Sequence, residues 1–455
     1  MLPQHGSRQK YRRRTFPLHS AFDCDNLSCH AALMSTHTPS DPSRIAFTYK
    51  GFRFFWLTTL LVSFAVQIMS VSIAYKIYEV TREPLLVGMV GLCLFLPALL
   101  LILVTGLTAD RFNRRRIMAI CLSVELLCAI GFLLFTEVEA HEVWPLFCIL
   151  VVLGIARAFW GPAAQSLAPN LVPPEALSNA ITVNASAWQF ASIAGPAIGG
   201  VLYSFAPFVP FGTGAALLLC AVVSVLLIPK PPQRESTQAT SMETLLGGFR
   251  YIFSNKVVLG AISLDMFAVL MGGAVAMLPI YATDILHGGS IANGLLRAAP
   301  GIGAIVMALF LTRFPIRNFA GRILFVFVAL FGAFTVVFGF STSIWLSIPA
   351  LALVGASDMV SVTIRETIMQ LWTPEEVRGR VNAVNSVFIG ASNELGEFRA
   401  GTVAHFIGPV AAVVIGGFGA IAVAGIWSVI FPGLREQRSL DHKMVADGSA
   451  ARDSA

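Results

Sequence analysis

Charge is scarce in this sequence: Asp, Glu, Lys and Arg make up 12% of its 455 residues, against about 25% in a soluble domain. A chain so poor in charge does not read as an ordinary soluble fold. The motifs of common chemistry are missing too. There is no paired-histidine metal motif, no G-x-S-x-G elbow and no phosphate-binding glycine loop, and His405 is the lone histidine inside an apolar run, so an enzyme is not expected. Seven cysteines are scattered, mostly within apolar stretches (Cys93, Cys121, Cys128, Cys148, Cys220), and read as small core hydrophobes with no disulfide framework. Cys24, Cys29 and His30 lack a second pair of ligands nearby, so no metal site is expected, nor any other cofactor. The formal charge of +6 is divided among loops without an aromatic platform, which argues against nucleic acid as a partner.

What is abundant is apolar sequence, with 56% of residues hydrophobic. From Phe54 onward, runs of about 20 apolar residues repeat, each long enough to cross a ~30 Å hydrocarbon core. Twelve are predicted, at 54–76, 85–106, 117–136, 143–165, 180–204, 208–229, 257–282, 292–311, 322–341, 344–370, 381–406 and 408–430. Basic residues concentrate in every second connection (Arg114 to Arg116, Lys230, Arg234, Arg250, Lys256, Arg313, Arg317, Arg378, Arg380), whereas the alternate ones hold only Lys76 and Arg82. By the positive-inside rule the arginine-rich ends and both termini are cytoplasmic.

The densest charge is GLTADRFNRRR, Gly106 to Arg116, with four arginines and one aspartate in eleven residues. The pattern G-x-x-x-D-R-x-x-R-R, carried by Gly106, Asp110, Arg111, Arg114 and Arg115, resembles the signature loop between the second and third spans of the major facilitator superfamily. The resemblance covers Phe54 to about Leu434, and W-T-P-E-E-V-R-G-R at Trp372 to Arg380 suggests the bacterial branch that includes siderophore and macrolide exporters. It implies an all-α polytopic membrane protein of twelve transmembrane helices in two pseudo-symmetric six-helix halves, a monomer in the bacterial inner membrane. In the family an acid at the position of Asp110 is thought to face the N-terminal end of a helix in the other half and close the cytoplasmic side. A carboxylate so placed is stabilised by roughly 0.3–1 kcal/mol, enough to bias a near-balanced equilibrium. The equivalent loop of the second half, Thr312 to Arg322, has no aspartate, so the two halves are expected to gate unequally.

Residues 1–53 read as a disordered cytoplasmic segment, in which Met34 is a candidate start of translation. The halves, 54–229 and 257–431, flank a linker at 230–256 that is rich in Pro, Ser and Thr at its start. Within it Met242, Leu245, Leu246, Phe249 and Ile252 fall near helical spacing, which predicts an amphipathic helix on the cytoplasmic membrane surface. Residues 432–455 form a cytoplasmic tail. NLVPPEALSNAITVNASAW resembles QLWTPEEVRGRVNAVNSVF, with Pro174-Glu175 and Pro374-Glu375 200 positions apart. Spans five and eleven are therefore equivalent members of a duplication, and the site should lie between the halves.

In span four, Arg157-Ala-Phe-Trp-Gly161 resembles the family's R-x-x-x-G element, and an arginine at that depth should face a cavity or an acid, or else snorkel. Span five carries Ala191-x-x-x-Gly195-Pro196-x-x-Gly199-Gly200, which resembles the G-x-x-x-G-P-x-x-G-G element of exporters and reads as a device for bending and close packing. Span eleven places Glu394, Glu397 and Arg399 near mid-membrane, with the two carboxylates on one face. The resemblance makes Gln67, Asp265 and Asp358, in spans one, seven and ten, cavity residues as well. Arg297 lies near the outer end of span eight, while Arg365 and Glu366, near the cytoplasmic end of span ten, are expected to snorkel. The expected function is export of small amphipathic molecules by alternating access in exchange for protons, carried by Glu394, Glu397, Asp265 or Asp358. A facilitator or importer of a metabolite or lipid is the alternative; a channel or membrane-embedded enzyme fits less well.

Overall fold

The structure, a computed structural model, describes residues 46–137, 142–229, 242–316 and 318–437. Met34, Cys24, Cys29, His30, the first part of the linker and the tail beyond 437 lie outside the described residues. The described part of the segment expected to be disordered is ordered: a helix starts at Lys50, Ala46 N donates to Asn179 Oδ1 at 3.1 Å, and Phe47 meets Trp56 edge to face.

A first set of helices comprises α1 (Lys50–Thr81), α2 (Pro84–Arg111), α3 (Arg114–Glu137), α4 (Trp144–Leu167), α5 (Pro174–Phe205) and α6 (Val209–Leu226). A shorter α7 (Met242–Ser254) precedes the second set: α8 (Lys256–Gly272), α9 (Gly289–Arg313), α10 (Ala320–Phe340), α11 (Ile344–Trp372), α12 (Glu375–Ile407) and α13 (Pro409–Ile430). Proline sets many of the starts. Pro84, Pro145, Pro174, Pro210 and Pro409 occupy first or second helical positions, where a missing N–H costs nothing. Asn255 caps α8 by accepting from the N–H groups of Val257 and Val258 at 3.1 and 3.2 Å. At Gly273 α8 breaks, and the chain continues through a 3-10 turn (Val275–Met277) and a short helical stretch that ends in a π turn (Tyr281–Ile285).

Among the described residues ten helices are long and apolar enough to cross a membrane. α5 and α12, at 32 and 33 residues, match them in length but are more polar. Among their polar residues Thr182, Ser186, Asn382 and Ser386 are exposed toward the arginine-rich end, a surface suited to water.

The two sets pack alike. In the first, α1 lies on α5 and α6, α2 on α4, and α3 on α4 and α6; in the second, α8 lies on α12 and α13, α9 on α11, and α10 on α11 and α13. The sets meet through α2 with α12 and α5 with α9, which are the same pairing under exchange of the sets. Glycine permits both crossings. A methyl group on Gly401 would come 2.9 Å from Gly88 Cα, and one on Gly200 would come 3.0 Å from Gly294 Cα, closer than packed carbons approach. Both contacts lie toward the end remote from Arg114 to Arg116. Polar bonds between the sets gather at that end too. Arg82 Nη1 meets Asp284 Oδ1 at 2.9 Å, Tyr78 also donates to Asp284, and His405 Nδ1 lies 3.0 Å from Glu83 Oε2.

The helix expected on the membrane surface, α7, packs instead on the second set. Ile252 is fully buried, Phe249 meets Phe388 with ring centroids 5.7 Å apart, and Tyr251 donates to the carbonyl of Trp372. Phe249 and Ile252 of its apolar stripe rest on protein, because the ends of α11 and α12 offer a matching apolar surface, while Phe253 is exposed.

In a chain whose native cysteines are replaced, a cysteine pair at positions 82 and 284 should cross-link readily. Gly401→Leu should slow that reaction several-fold by forcing α2 from α12; an unchanged rate, read by gel shift, would mean that the glycine crossing does not hold this end together.

Candidate functional site

A cavity of about 740 Å³ opens in the first set, within the range for small-molecule sites. It runs from mid-depth toward the arginine-rich end between α1, α4 and α5, with Phe55, Trp160 and Trp188 among its walls. Gln67 and Arg157, both expected cavity residues, line it. So does Glu125 of α3, which the sequence reading passed over. Glu125 is 0% exposed, and neither of its carboxylate oxygens has a hydrogen-bond partner among the described residues; the same holds for Arg157 Nε, Trp160 Nε1 and Asn184 Oδ1. Each unsatisfied buried polar group costs about 1–3 kcal/mol, which a bound molecule offering donors and acceptors would relieve. The signal for Glu125 was present: a single acid in the apolar run Cys121 to Phe135 is a functional candidate by default.

Across the seam between the sets, Glu394 and Glu397 turn from α12 toward α2 at Gly91. A methyl group there would collide with Glu394 Oε2 and lie 3.4 Å from Glu397 Oε2, so the glycine makes room for both carboxylates. Arg157 has Glu125 as its strongest electrostatic partner and Glu394 as the next. Glu394 in turn feels Glu397, then Arg297, then Arg157. Arg297 of α9 also donates Nη2 to Ser70 Oγ of α1 at 3.4 Å. The charges of three carboxylates and two guanidiniums from both sets thus act on one another at longer range than an ion pair.

Other expected site residues are elsewhere. Arg365, expected to snorkel, is 3% exposed and forms an ion pair with Asp265, because its face of α11 turns toward α8. Asp358 and Ser361 share with Asp265 a separate space of about 10 Å³, close to the room one water needs. Arg399 donates Nε to Leu270 O at 2.9 Å and also binds Met271 O. Those carbonyls lose their helical partners where α8 breaks, so Arg399 serves as a C-terminal cap.

In the signature loop, Arg114 donates Nη1 to Ser166 O at 3.0 Å, and Arg115 donates Nε to Val225 O at 3.2 Å and binds Leu226 O. These bonds tie the loop to the ends of α4 and α6 within its own set. Gly106 lies in the last turns of α2, Arg111 is exposed at its end, and the side chain of Asp110 lies outside the described residues. Gly195, Pro196, Gly199 and Gly200 form one packing surface. Gly195 faces Gln67 and Gly199 faces Ile68 and Val71 of α1, while Pro196 and Gly200 face Gly294 of α9. Cys121 and Cys128 are buried as expected of small hydrophobes, whereas Cys148 and Cys220 are exposed.

The family model described as transmembrane secretion effector matches residues 43–447. The enterobactin exporter EntS of Escherichia coli O6:K15:H31 (strain 536 / UPEC) is 25% identical over 414 residues, 88% of this chain and 97% of that protein. EntS of Citrobacter koseri is 26% identical over 404 residues, 86% and 94% respectively. Among solved structures, a bacterial homolog of the human lysosomal transporter Spinster, inward-facing and unoccupied, has the same fold with a TM-score of 0.65 at 15% identity, covering 87% of this chain and 97% of that one. The nucleoside transporter NupG aligns with a TM-score of 0.64 at 16% identity, covering 84% and 98%. With described residues that form an all-helical fold and ten apolar spans, the chain belongs to the transmembrane secretion effector family, and it is a membrane transporter of the major facilitator superfamily.

Proposed function

We propose that this chain exports small amphipathic molecules from the cytoplasm by alternating access, driven by protons that enter from the opposite side. The observation that carries the reading is the placement of Glu394 and Glu397 at the seam, facing Arg157 from one set and Arg297 from the other. Neighbouring carboxylates in a low dielectric cannot both stay ionised without bases to match them. Moving one set against the other changes which bases are near, so protonation is tied to conformation.

In this reading residues 54–229 and 257–431 are the moving bodies, joined by the linker at 230–256, and α5 and α12 also cross the membrane. The arginine-rich ends and both termini face the cytoplasm. The state described is then closed to the outside by the bonds around Asp284 and His405 and open to the cytoplasm through the cavity at Arg157. Gly106, Asp110 and Arg111 engage the other body only in the opposite state. Asp265 is held by Arg365 and so is a weaker proton carrier than Glu394 or Glu397; Asp358 stands between. The working unit is a monomer. Because relatives are named enterobactin exporters, enterobactin is the first compound to test.

Purified protein in detergent should release protons when a transported compound is added, and Glu394→Gln or Glu397→Gln should abolish the release while the melting temperature holds. Uphill export that persists in Glu397→Gln would remove that residue from the mechanism, and binding without proton release in the wild type would favour a facilitator. An epitope at the C-terminus should be digested by protease in inside-out vesicles and protected in right-side-out ones. The reverse pattern would invert the assigned direction of export.

A further inference from the structure

Glu125 is absorbed neither by the family resemblance nor by the coupling scheme above. It is buried and bare of hydrogen bonds, and it shares a cavity with Arg157. We propose that Glu125 is a third proton-holding carboxylate, which alternates with Glu394 as the counter-ion of Arg157 as the two bodies move. The proposal rests on the alternating-access reading.

Arg157 and Glu125 both belong to the first set and move together, whereas Glu394, Glu397 and Arg297 ride on the second. Three acids against two guanidiniums leave one negative charge over, and a single proton cancels it. In the state described the charge of Glu394 acts on Arg157 from across the seam, after that of Glu125. A buried carboxyl that accepts no hydrogen bond is best accommodated as the neutral acid, so the proton sits on Glu125, with Arg157 serving Glu394 and Arg297 serving Glu397.

When α2 and α12 part, Glu394 leaves and Arg157 stays buried with Glu125 as its remaining acid. Release precedes that parting: while the cavity is still open to the cytoplasm, the O–H bond of Glu125 breaks, its proton passes to cavity water, and the carboxylate takes over Arg157. Glu394 and Glu397, now left with Arg297 alone, take one proton from water on the other side. On return Arg157 again meets Glu394, and the proton moves from the span-eleven pair to Glu125. One proton crosses per cycle, and the single unmatched charge between release and uptake falls on the seam that opens to water.

Glu125→Gln mimics the neutral acid. It should hold the outside-closed state: the cysteine pair at positions 82 and 284 cross-links more completely than in the parent, while turnover falls about tenfold or more. Glu394→Gln should shift the same cross-link the opposite way, and Glu125→Asp should restore turnover in part. Should Glu125→Gln destabilise the protein, the double variant Glu125→Gln/Arg157→Gln keeps the test open, because removing the base should abolish the excess cross-link. A Glu125→Gln cross-link equal to the parent's, or one that shifts in the same direction as in Glu394→Gln, would overturn the proposal. A parent whose cross-link never responds to a transported compound would instead remove the alternating-access reading beneath it.

Discussion

A guanidinium buried among apolar helices must find a partner, and where that partner sits decides what the arginine can do. Arg365 has Asp265 beside it within the second set; removing one member of such a pair costs about 3–5 kcal/mol, so it stays made. Arg399 is satisfied by carbonyls at the break in α8, which no movement between the sets disturbs. Arg157 differs from both. One of its acids, Glu125, shares its set, and the other, Glu394, belongs to the opposite one. Of these three arginines, Arg157 alone has a partner that relative motion of the sets can change.

The frame around it is built for such motion. Equivalent helices pair in the same way in both sets, and the two inter-set crossings, α2 with α12 and α5 with α9, are images of each other. At each crossing glycine faces glycine, so the contact is backbone against backbone with few side chains to interlock. Packing of this kind gains from van der Waals contact when closed and leaves little to untangle when opened. The polar bonds at the same end, Arg82 with Asp284 and Glu83 with His405, are half-exposed. Exposed pairs are worth about 0–1 kcal/mol each, so they latch the end without locking it.

Much of this was legible in the sequence, because lipid imposes a simple rule on length and polarity. The apolar runs located the helices to within a few residues, the arginines divided the loops, and the repeat at Pro174 and Pro374 anticipated the equivalence of α5 and α12. What hydropathy does not carry is the identity of partners. Arg365 looked like a snorkelling residue because its distance from a helix end was visible and the facing Asp265 on α8 was not. The stripe of α7 was legible as apolar, but an apolar stripe fits protein as well as lipid, and its Phe249 and Ile252 met α11 and α12. Glu125 was missed for a different reason. A single charge in a long run barely lowers the run's hydropathy, so the run reads as an ordinary apolar span.

The symmetry of the frame sharpens the meaning of the charges, which are not symmetric. In the register of the repeat, Glu394, Glu397 and Arg399 stand where the other set has Ala194, Ala197 and Gly199. The crossing of α5 with α9 therefore carries Arg297 as its charged contribution at this level, whereas that of α2 with α12 carries two acids and faces Arg157. An apolar seam opens at the same free energy whatever the pH or the electrical state of the cavity. A seam that separates a guanidinium from its carboxylate opens cheaply only if another acid takes over the base and a proton takes over the freed carboxylate. In the proposed cycle the duplication supplies the frame that moves, and the charges added to one seam make that movement conditional on a proton.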